Sequence, residues 1–248
     1  MLRITKTASS VPTHDLTDTR EYPPSNAISL TVSTPLGPVH GLWRPSIRNH
    51  AAVLFLPGRD NALTGPADLY TQLAPALQRA AAIVQLGYRR PDSFSDCRAC
   101  VLDTLDALSR QGIERVALIG WDIGGTVAIA AGSQSPLVTG IACLAPDTRA
   151  SDASDLVAAT AAISPRRFLL AHGSADMVIP QSVSILLHAQ AGHSSELALY
   201  IRETHDFTRS RAAILQRLTL WTTALLRTPF KPGRPTGAYP RPILAASR

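Results

Sequence analysis

The sequence predicts an α/β protein built on a mostly parallel, doubly wound sheet. Short apolar runs alternate with segments whose apolar residues recur at helical spacing, and this alternation is typical of parallel sheets covered by helices. Residues 51–56 are continuously apolar, as expected of a strand buried on both faces. Before them, residues 27–33 and 39–44 alternate apolar and polar side chains around a Pro-Leu-Gly-Pro turn. The sequence therefore predicts an antiparallel hairpin followed by alternating strands and helices.

The other elements follow the same two patterns along the chain. Further strands are predicted at residues 83–86, 116–120, 138–144, 167–172 and 196–201. Helices are predicted at residues 69–82, 94–111, 123–132, 153–162, 181–191 and 207–227. The folded domain should therefore span residues 27–227, preceded by a mobile arm at 1–26 and followed by a Pro/Arg-rich, disordered tail at 228–248.

Composition narrows the classes of protein that fit. The 248 residues are 45% hydrophobic and 17% charged, which suits one globular domain. No apolar run reaches the roughly 20 residues of a membrane span, and the first residues have no hydrophobic core typical of a secretory signal. We therefore expect a cytoplasmic protein with no membrane association.

Charge and cysteines give no strong sign of nucleic acid, cofactor or metal. The net charge is +6, but the basic residues are scattered and no aromatic-basic module accompanies them, so no nucleic-acid partner is expected. Cys97 and Cys100 form a C-x-x-C within a helical pattern, which favours an ordinary helix over a redox site. We expect a small-molecule substrate and no cofactor or metal, and the oligomeric state stays open.

The most informative segment runs from Val116 to Gly132. An apolar run turns sharply at Gly-Trp-Asp-Ile-Gly and continues as a helix of small residues. A strand, a tight turn and a helix in this order are typical of a nucleophile elbow, whose usual form is G-x-S-x-G. The glycines suit a strained turn, in which side chains at 120 and 124 would collide with their neighbours. Asp122 stands where that motif has serine.

Polar groups also follow other predicted strands. Asp176 comes after the strand at 167–172, and His205 comes after the last strand. Because active sites of open α/β sheets lie beyond the carboxyl ends of the strands, these side chains and Asp122 should lie at one edge. Backbone amides of Arg59 and Ile123 belong to loops at the same edge.

Residues from about 27 to 226 resemble the α/β-hydrolase fold. The marks are G-x-D-x-G-G at the elbow, H-G-S-A-D-x-x-x-P at the acid turn and a histidine before the last helix, in the order nucleophile, acid, histidine. The resemblance implies that Asp176 orients His205 and that the amides of Arg59 and Ile123 form an oxyanion hole. His172, at the end of a buried strand, is interpreted as structural.

An aspartate at the elbow resembles the haloalkane dehalogenase and epoxide hydrolase branch of that fold. There the carboxylate attacks an sp3 carbon to form an enzyme ester, and the histidine activates the water that hydrolyses it. Two features differ from the branch: Trp121 precedes the aspartate instead of following it, and residues 147–165 leave no room for a sizeable cap. Tyr88 and Tyr70 are the only core tyrosines considered as acids for epoxide opening.

These residues support a hydrolase with an Asp122-His205-Asp176 triad, acting on a small or hydrophobic metabolite that carries an epoxide, halide or ester-like electrophile. Trp121, Tyr88 and Asp147 are candidate pocket residues, and Asp147 is also the rival of Asp176 as orienting acid. Two alternatives remain open: an acid-base lyase, cyclase or isomerase using Asp122 and His205, or a non-catalytic binding protein on a hydrolase scaffold.

Overall fold

The computed structural model describes residues 2–3, 27–47, 50–150 and 153–227. These residues form a single sheet with strand order β1-β2-β3-β5-β4-β6-β7-β8-β9. From β5 to β9 every neighbouring pair is parallel, whereas β1, β2 and β3 are antiparallel to their neighbours. The strands are β1 (Leu2–Arg3), β2 (Ile28–Val32), β3 (Val39–Arg44), β4 (Ala51–Leu56), β5 (Ala82–Leu86), β6 (Arg115–Trp121), β7 (Val138–Leu144), β8 (Arg167–Gly173) and β9 (Ser195–Tyr200).

The helices cover both faces of this sheet, so the core has two halves. Apolar side chains of α2, α3, α4 and α5 pack on one face, and those of α1 and α6 pack on the other. Alternate residues of the continuously apolar strand β4 point into the two halves, as expected of a strand buried on both faces. The helices are α1 (Leu69–Leu77), α2 (Phe94–Arg110), α3 (Ile123–Gln134), α4 (Ala153–Ala161), α5 (Ser182–Ala191) and α6 (Arg211–Arg227).

The predicted fold class is confirmed, including the antiparallel hairpin and the absence of a sizeable cap. Between β7 and β8 the described residues form one short turn of 3-10 helix and α4. The described residues between β7 and β8 therefore contain no large insertion that could cover the candidate site. None of the helices in the described ranges is long and apolar enough to cross a membrane.

Part of the predicted N-terminal arm forms a strand. Leu2 and Arg3 pair antiparallel with Val32 and Thr31, so this part of the predicted arm is a strand at the sheet edge. A sheet edge offers unpaired backbone groups, which explains why a short segment can add there. The rest of the arm and the tail at 228–248 lie outside the described residues.

Two helices differ from their predicted bounds by four residues or more. Helix α1 ends at Leu77 instead of residue 82, because Ala82 already pairs with Ala52 of β4. Helix α6 begins at Arg211 instead of residue 207, since Phe207 has a φ of +58° that a helix does not allow. The residues before α6 therefore belong to the loop that carries the candidate histidine.

The C-x-x-C segment lies within helix α2, as the sequence predicts. Cys97 and Cys100 are both free and buried. Burial raises the pKa of Cys97 to about 12, so its thiolate is scarce at neutral pH. This environment suits packing residues of the helix and not a redox pair.

Candidate active site

The tight turn after β6 is the segment that the sequence predicts to be a nucleophile elbow. Asp122 has φ 55° and ψ −126°, a conformation that is strained for a residue with a side chain. A Cβ on Gly120 would overlap the carbonyl group of Gly124, and one on Gly124 would overlap the carbonyl group of Pro57. The two glycines are therefore required by close backbone contacts, which explains the spacing seen in the sequence.

The two carboxylate oxygens of Asp122 have different surroundings. The amide of Arg59 donates a hydrogen bond of 3.0 Å to Oδ2. Among the described residues no donor contacts Oδ1, and the Ile123 amide has no hydrogen-bond acceptor. The Asp122 side chain is 7% exposed. One of the two predicted oxyanion-hole amides therefore binds the aspartate itself, which leaves Oδ1 uncommitted.

Asp176 and His205 form a hydrogen-bonded pair. His205 Nδ1 lies 2.8 Å from Asp176 Oδ2, while Oδ1 accepts hydrogen bonds of 2.8 Å from the amides of Val178 and Ile179. The His205 side chain is 15% exposed, and its Nε2 has no partner within the described part of the chain. The carboxylate thus holds the imidazole in the tautomer with hydrogen on Nδ1 and a free lone pair on Nε2.

Trp121 connects this pair to the elbow. Its indole Nε1 donates a 3.1 Å hydrogen bond to the carbonyl oxygen of His205, and the two rings lie 5.2 Å apart between centroids. In the described residues no hydrogen bond joins the Asp122 carboxylate directly to His205. The residue before the elbow therefore fixes the histidine loop, in addition to any contact with substrate.

Asp147, the rival acid, is held by two arginines and not by His205. Its fully buried carboxylate accepts hydrogen bonds from Arg59 Nη2 at 2.7 Å and from Arg149 Nε at 2.8 Å. Burial by itself would raise the pKa of Asp147, but the hydrogen bonds from Arg149 and Arg59 outweigh it and hold that pKa at about 2. Arg59 therefore contacts Asp122 through its backbone and Asp147 through its side chain.

The core tyrosines are buried in the two halves of the core. The Tyr70 hydroxyl donates a 3.0 Å hydrogen bond to the carbonyl oxygen of Leu56, whereas no described residue forms a hydrogen bond with the Tyr88 hydroxyl. Burial raises the pKa of both phenols. A pocket role for Tyr88 stays a prediction, and its burial against α2 suits a packing residue.

Glu203 is a residue that sequence reasoning missed. It is fully buried, and its carboxylate accepts hydrogen bonds from the amides of Thr204, Arg209 and Ser210. These contacts close the loop of His205 against the start of α6. The one sequence signal for this role is the position of Glu203, an acid seven residues before Ser210, which directly precedes α6. Acidic side chains close to the start of a helix often accept hydrogen bonds from its free amides.

Among the described residues no group of three or more His, Cys, Asp and Glu side chains is arranged to hold a metal ion. The charged groups at the candidate site pair with one another or with backbone amides. Proton transfer and nucleophilic attack are therefore the kinds of chemistry that these side chains themselves can provide.

Comparison with known proteins identifies the fold. No protein-family model matches the sequence, and no curated protein matches it. Est1E from Butyrivibrio proteoclasticus has a similar structure, with a TM-score of 0.69, 10% identity and coverage of 81% of this chain and 99% of Est1E. A dienelactone hydrolase from Anabaena variabilis gives a TM-score of 0.67 and 18% identity over 80% of this chain and 97% of its own.

A third similar structure is XC6422 from Xanthomonas campestris, which is described as an α/β serine hydrolase without a lid. It gives a TM-score of 0.61 and 16% identity over 82% of this chain and 98% of its own. Likeness at such low identity concerns the fold, and it spans nearly the whole of each related chain. The chain therefore has the α/β-hydrolase fold in a compact form without a lid.

Proposed function

We propose that this protein is a hydrolase in which Asp122 is a covalent nucleophile and His205, oriented by Asp176, activates water. The observation that carries the proposal is the asymmetry of the Asp122 carboxylate. Oδ2 accepts the Arg59 amide at 3.0 Å, whereas Oδ1 has no donor among the described residues. A carboxylate needs no deprotonation before it attacks, so the lack of a hydrogen bond between Asp122 and His205 suits this role.

In the first step, Oδ1 attacks a saturated carbon of the substrate that bears a halide, an epoxide oxygen or the carboxylate of an ester. A bond forms between Oδ1 and that carbon, and the leaving group departs with the electron pair of the broken bond. The product is an ester of Asp122 whose carbonyl oxygen is Oδ2. The Arg59 amide, already on Oδ2, holds the carboxylate in a fixed rotation before the reaction.

In the second step, water hydrolyses this ester. Nε2 of His205 takes a proton from water, and the oxygen of that water attacks Cγ of Asp122. Negative charge develops on Oδ2, which already accepts a hydrogen bond from the Arg59 amide, and the Ile123 amide is the proposed second donor. Collapse breaks the bond between Cγ and Oδ1, and the departing alkoxide, which carries Oδ1, takes the proton from His205. The carboxylic acid left on Asp122 holds the oxygen of the water and releases its remaining proton to solvent, which restores the carboxylate beside a neutral imidazole.

The proposed substrate is a small or hydrophobic molecule with a halide, epoxide or ester-like electrophile. The similar structures include proteins described as an esterase domain and a dienelactone hydrolase, and both names indicate hydrolysis of esters or lactones. The lack of a sizeable cap gives open access to the elbow, which suits substrates of varied shape. We expect one soluble enzyme domain acting without a cofactor.

Heavy-oxygen labelling tests the covalent step. A panel of alkyl halides, epoxides and esters is screened for turnover, and a single turnover is then run in H₂¹⁸O. Attack of water on Cγ should place ¹⁸O in the peptide that contains Asp122, and the Asp122→Asn variant should show neither turnover nor label. Turnover with an unlabelled peptide would exclude the covalent mechanism.

A second candidate is acid-base catalysis of a lyase, cyclase or isomerase step. The lack of a hydrogen bond between Asp122 and His205 favours this candidate as well. In the described structure Asp122 Oδ1 and His205 Nε2 have no hydrogen-bond partner, so each can contact a substrate. Such an enzyme would show turnover that depends on Asp122 without any ¹⁸O in product or peptide. If neither Asp122→Ala nor Asp122→Ser changes the biological activity, the non-catalytic hypothesis replaces both.

A further inference from the structure

We infer that His172 is a positioning residue for the site: it fixes the rotation of the Asp176 carboxylate, and Ser184 fixes the orientation of His172. The inference rests on the proposed function, because it extends the pair of Asp176 and His205 by two buried residues. It assigns a task to a histidine that the sequence alone marks as structural.

His172 lies at the end of β8 and is fully buried. Its Nε2 is 2.9 Å from the carbonyl oxygen of Ile179 and 3.3 Å from Asp176 Oδ2. Its Nδ1 is 2.7 Å from the hydroxyl oxygen of Ser184, a fully buried residue in the first turn of α5. Both ring nitrogens are therefore engaged, and one of them faces the acid of the site.

These contacts determine where the imidazole hydrogen lies. A carbonyl oxygen can only accept a hydrogen bond, so Nε2 must carry the hydrogen that it shares between Ile179 and Asp176. In the neutral ring Nδ1 is then an acceptor, and the Ser184 hydroxyl donates to it. Burial lowers the pKa of His172, which agrees with a neutral ring of this tautomer.

The consequence is that Asp176 Oδ2 lies between two imidazoles. His205 Nδ1 contacts it at 2.8 Å and His172 Nε2 at 3.3 Å, while Oδ1 is held by the amides of Val178 and Ile179. The carboxylate cannot turn Oδ2 away from His205 without losing the contact to His172. Since His172 also holds the Ile179 carbonyl, it closes the whole turn around the acid.

The first test needs no variant and no substrate. Nitrogen-15 NMR of the imidazole rings should show hydrogen on Nε2 of His172 and on Nδ1 of His205 in the free protein. A His172 ring with hydrogen on Nδ1 alone would overturn the inference, because Nε2 could then donate neither to Ile179 nor to Asp176.

The second test compares four variants by the rate at which the His205 Nδ1 hydrogen exchanges with water, again without substrate. His172→Phe keeps the ring volume but removes both nitrogens, so exchange should rise about tenfold, the effect of losing one hydrogen bond to a charged group. His172→Gln retains an N–H donor at about the position of Nε2, so the exchange rate of the His205 hydrogen should stay near that of the wild type. Ser184→Ala should fall between the two.

Leu170→Ala is the control for loss of packing. Leu170 is buried in the same strand and faces the same half of the core as His172, but its side chain has no group that could donate a hydrogen bond to Asp176. If Leu170→Ala speeds the exchange as much as His172→Phe does, the effect follows stability and the positioning role is excluded. An unchanged rate in His172→Phe would exclude it as well.

A kinetic measurement separates this inference from the proposed function. If Asp122 forms an ester, His172→Phe should slow hydrolysis of that ester about tenfold and leave its formation unchanged, because only the second step uses His205. Equal slowing of both steps would overturn the inference. Absence of ¹⁸O at Asp122 would reject the covalent mechanism, while the exchange results in the free protein would stand on their own.

Discussion

The two sides of the candidate site are built differently. On the acid-histidine side, Asp176 contacts His205, His172 and backbone amides, and the carboxylate of Glu203 binds backbone amides of the His205 loop. On the elbow side, the Asp122 carboxylate has one hydrogen bond in the described structure, from the Arg59 amide. The first side is fixed by many contacts, while the second keeps an oxygen free.

This difference matches what the two steps of the proposed reaction require of each side. A general base must hold one tautomer and one orientation, which requires partners on the far side of its ring. A carboxylate nucleophile must instead keep one oxygen without partners, because a hydrogen bond to that oxygen would have to break before attack. Each side can therefore be tested for the property that its step needs.

The largest effect is expected for His205→Gln. Without a base the ester of Asp122 should still form, but turnover should fall about 10²- to 10⁴-fold. Intact-protein mass spectrometry with a substrate found in the panel should then show the mass of the bound fragment. His193→Gln, at an exposed histidine outside the site, is the matched control and should keep wild-type turnover.

A His205→Gln variant that loses turnover without accumulating any adduct would contradict the assignment of the two sides. It would mean that His205 takes part in the first step as well. The acid-base alternative would then gain support.

Glu203→Gln should loosen the acid-histidine side. The amide oxygen can replace one carboxylate oxygen, but the NH₂ group would face the backbone N–H groups that now donate to Glu203. We expect a loss of about 2 to 3 kcal/mol in the free energy of unfolding, which corresponds to about 4 to 12 °C in Tm.

Differential scanning calorimetry measures this loss. Glu196→Gln, in a half-exposed ion pair with Arg167, is the control and should cost less than about 1 kcal/mol. Equal losses in the two variants would show that the buried contacts of Glu203 have no special weight in holding the loop.

On the elbow side, Asp147→Asn should give a smaller, pH-dependent loss. The low pKa of Asp147 means that its contribution is fully present above about pH 4 and disappears as pH falls through about 2. Because both arginines are about half exposed, we expect about 1 to 2 kcal/mol at pH 7.

The check is the difference in stability between wild type and Asp147→Asn from pH 7 to pH 2. This difference should shrink at the acid end, and Asp106→Asn, in an exposed pair with Arg110, should change stability by at most about 0.5 kcal/mol. A difference that is constant with pH would show that the arginine contacts do not stabilise the charged form.

The sequence alone predicts the parts of this site that depend on local patterns. The elbow, Asp176 and His205 each follow a recognisable strand, and the ends of parallel strands meet at one edge. In the structure Asp176 and His205 are in hydrogen-bond contact, and their catalytic roles stay predictions. Likewise, the continuously apolar strand β4 predicts burial on both faces, which the two halves of the core confirm.

The contacts that support these residues could not be predicted in the same way. Arg59 and Asp147 are 88 positions apart, and Trp121 reaches the His205 carbonyl over 84 positions. Such contacts depend on the direction in which a loop points its side chain, and no periodicity encodes that direction. The start of α6 was misplaced for the same reason, since the positive φ of Phe207 is set by the loop around it.

The smallest effect is expected for Tyr88→Phe, at a buried tyrosine in the loop after β5. The Tyr88 hydroxyl is buried and has no hydrogen-bond partner in the part of the chain that the structure describes, so removing it should relieve an uncompensated polar group. We expect stability to stay the same or to rise by up to about 1 kcal/mol.

Tyr70→Phe is the matched control, because its hydroxyl donates to the carbonyl oxygen of Leu56 and its loss should cost about 1 kcal/mol. Urea unfolding of both variants should show a lower free energy of unfolding for Tyr70→Phe and an unchanged or higher one for Tyr88→Phe. A destabilised Tyr88→Phe would indicate a hidden partner for that hydroxyl. If the same variant also lost turnover, the hydroxyl would act on the substrate, and the elbow side would contain an acid as well as a nucleophile.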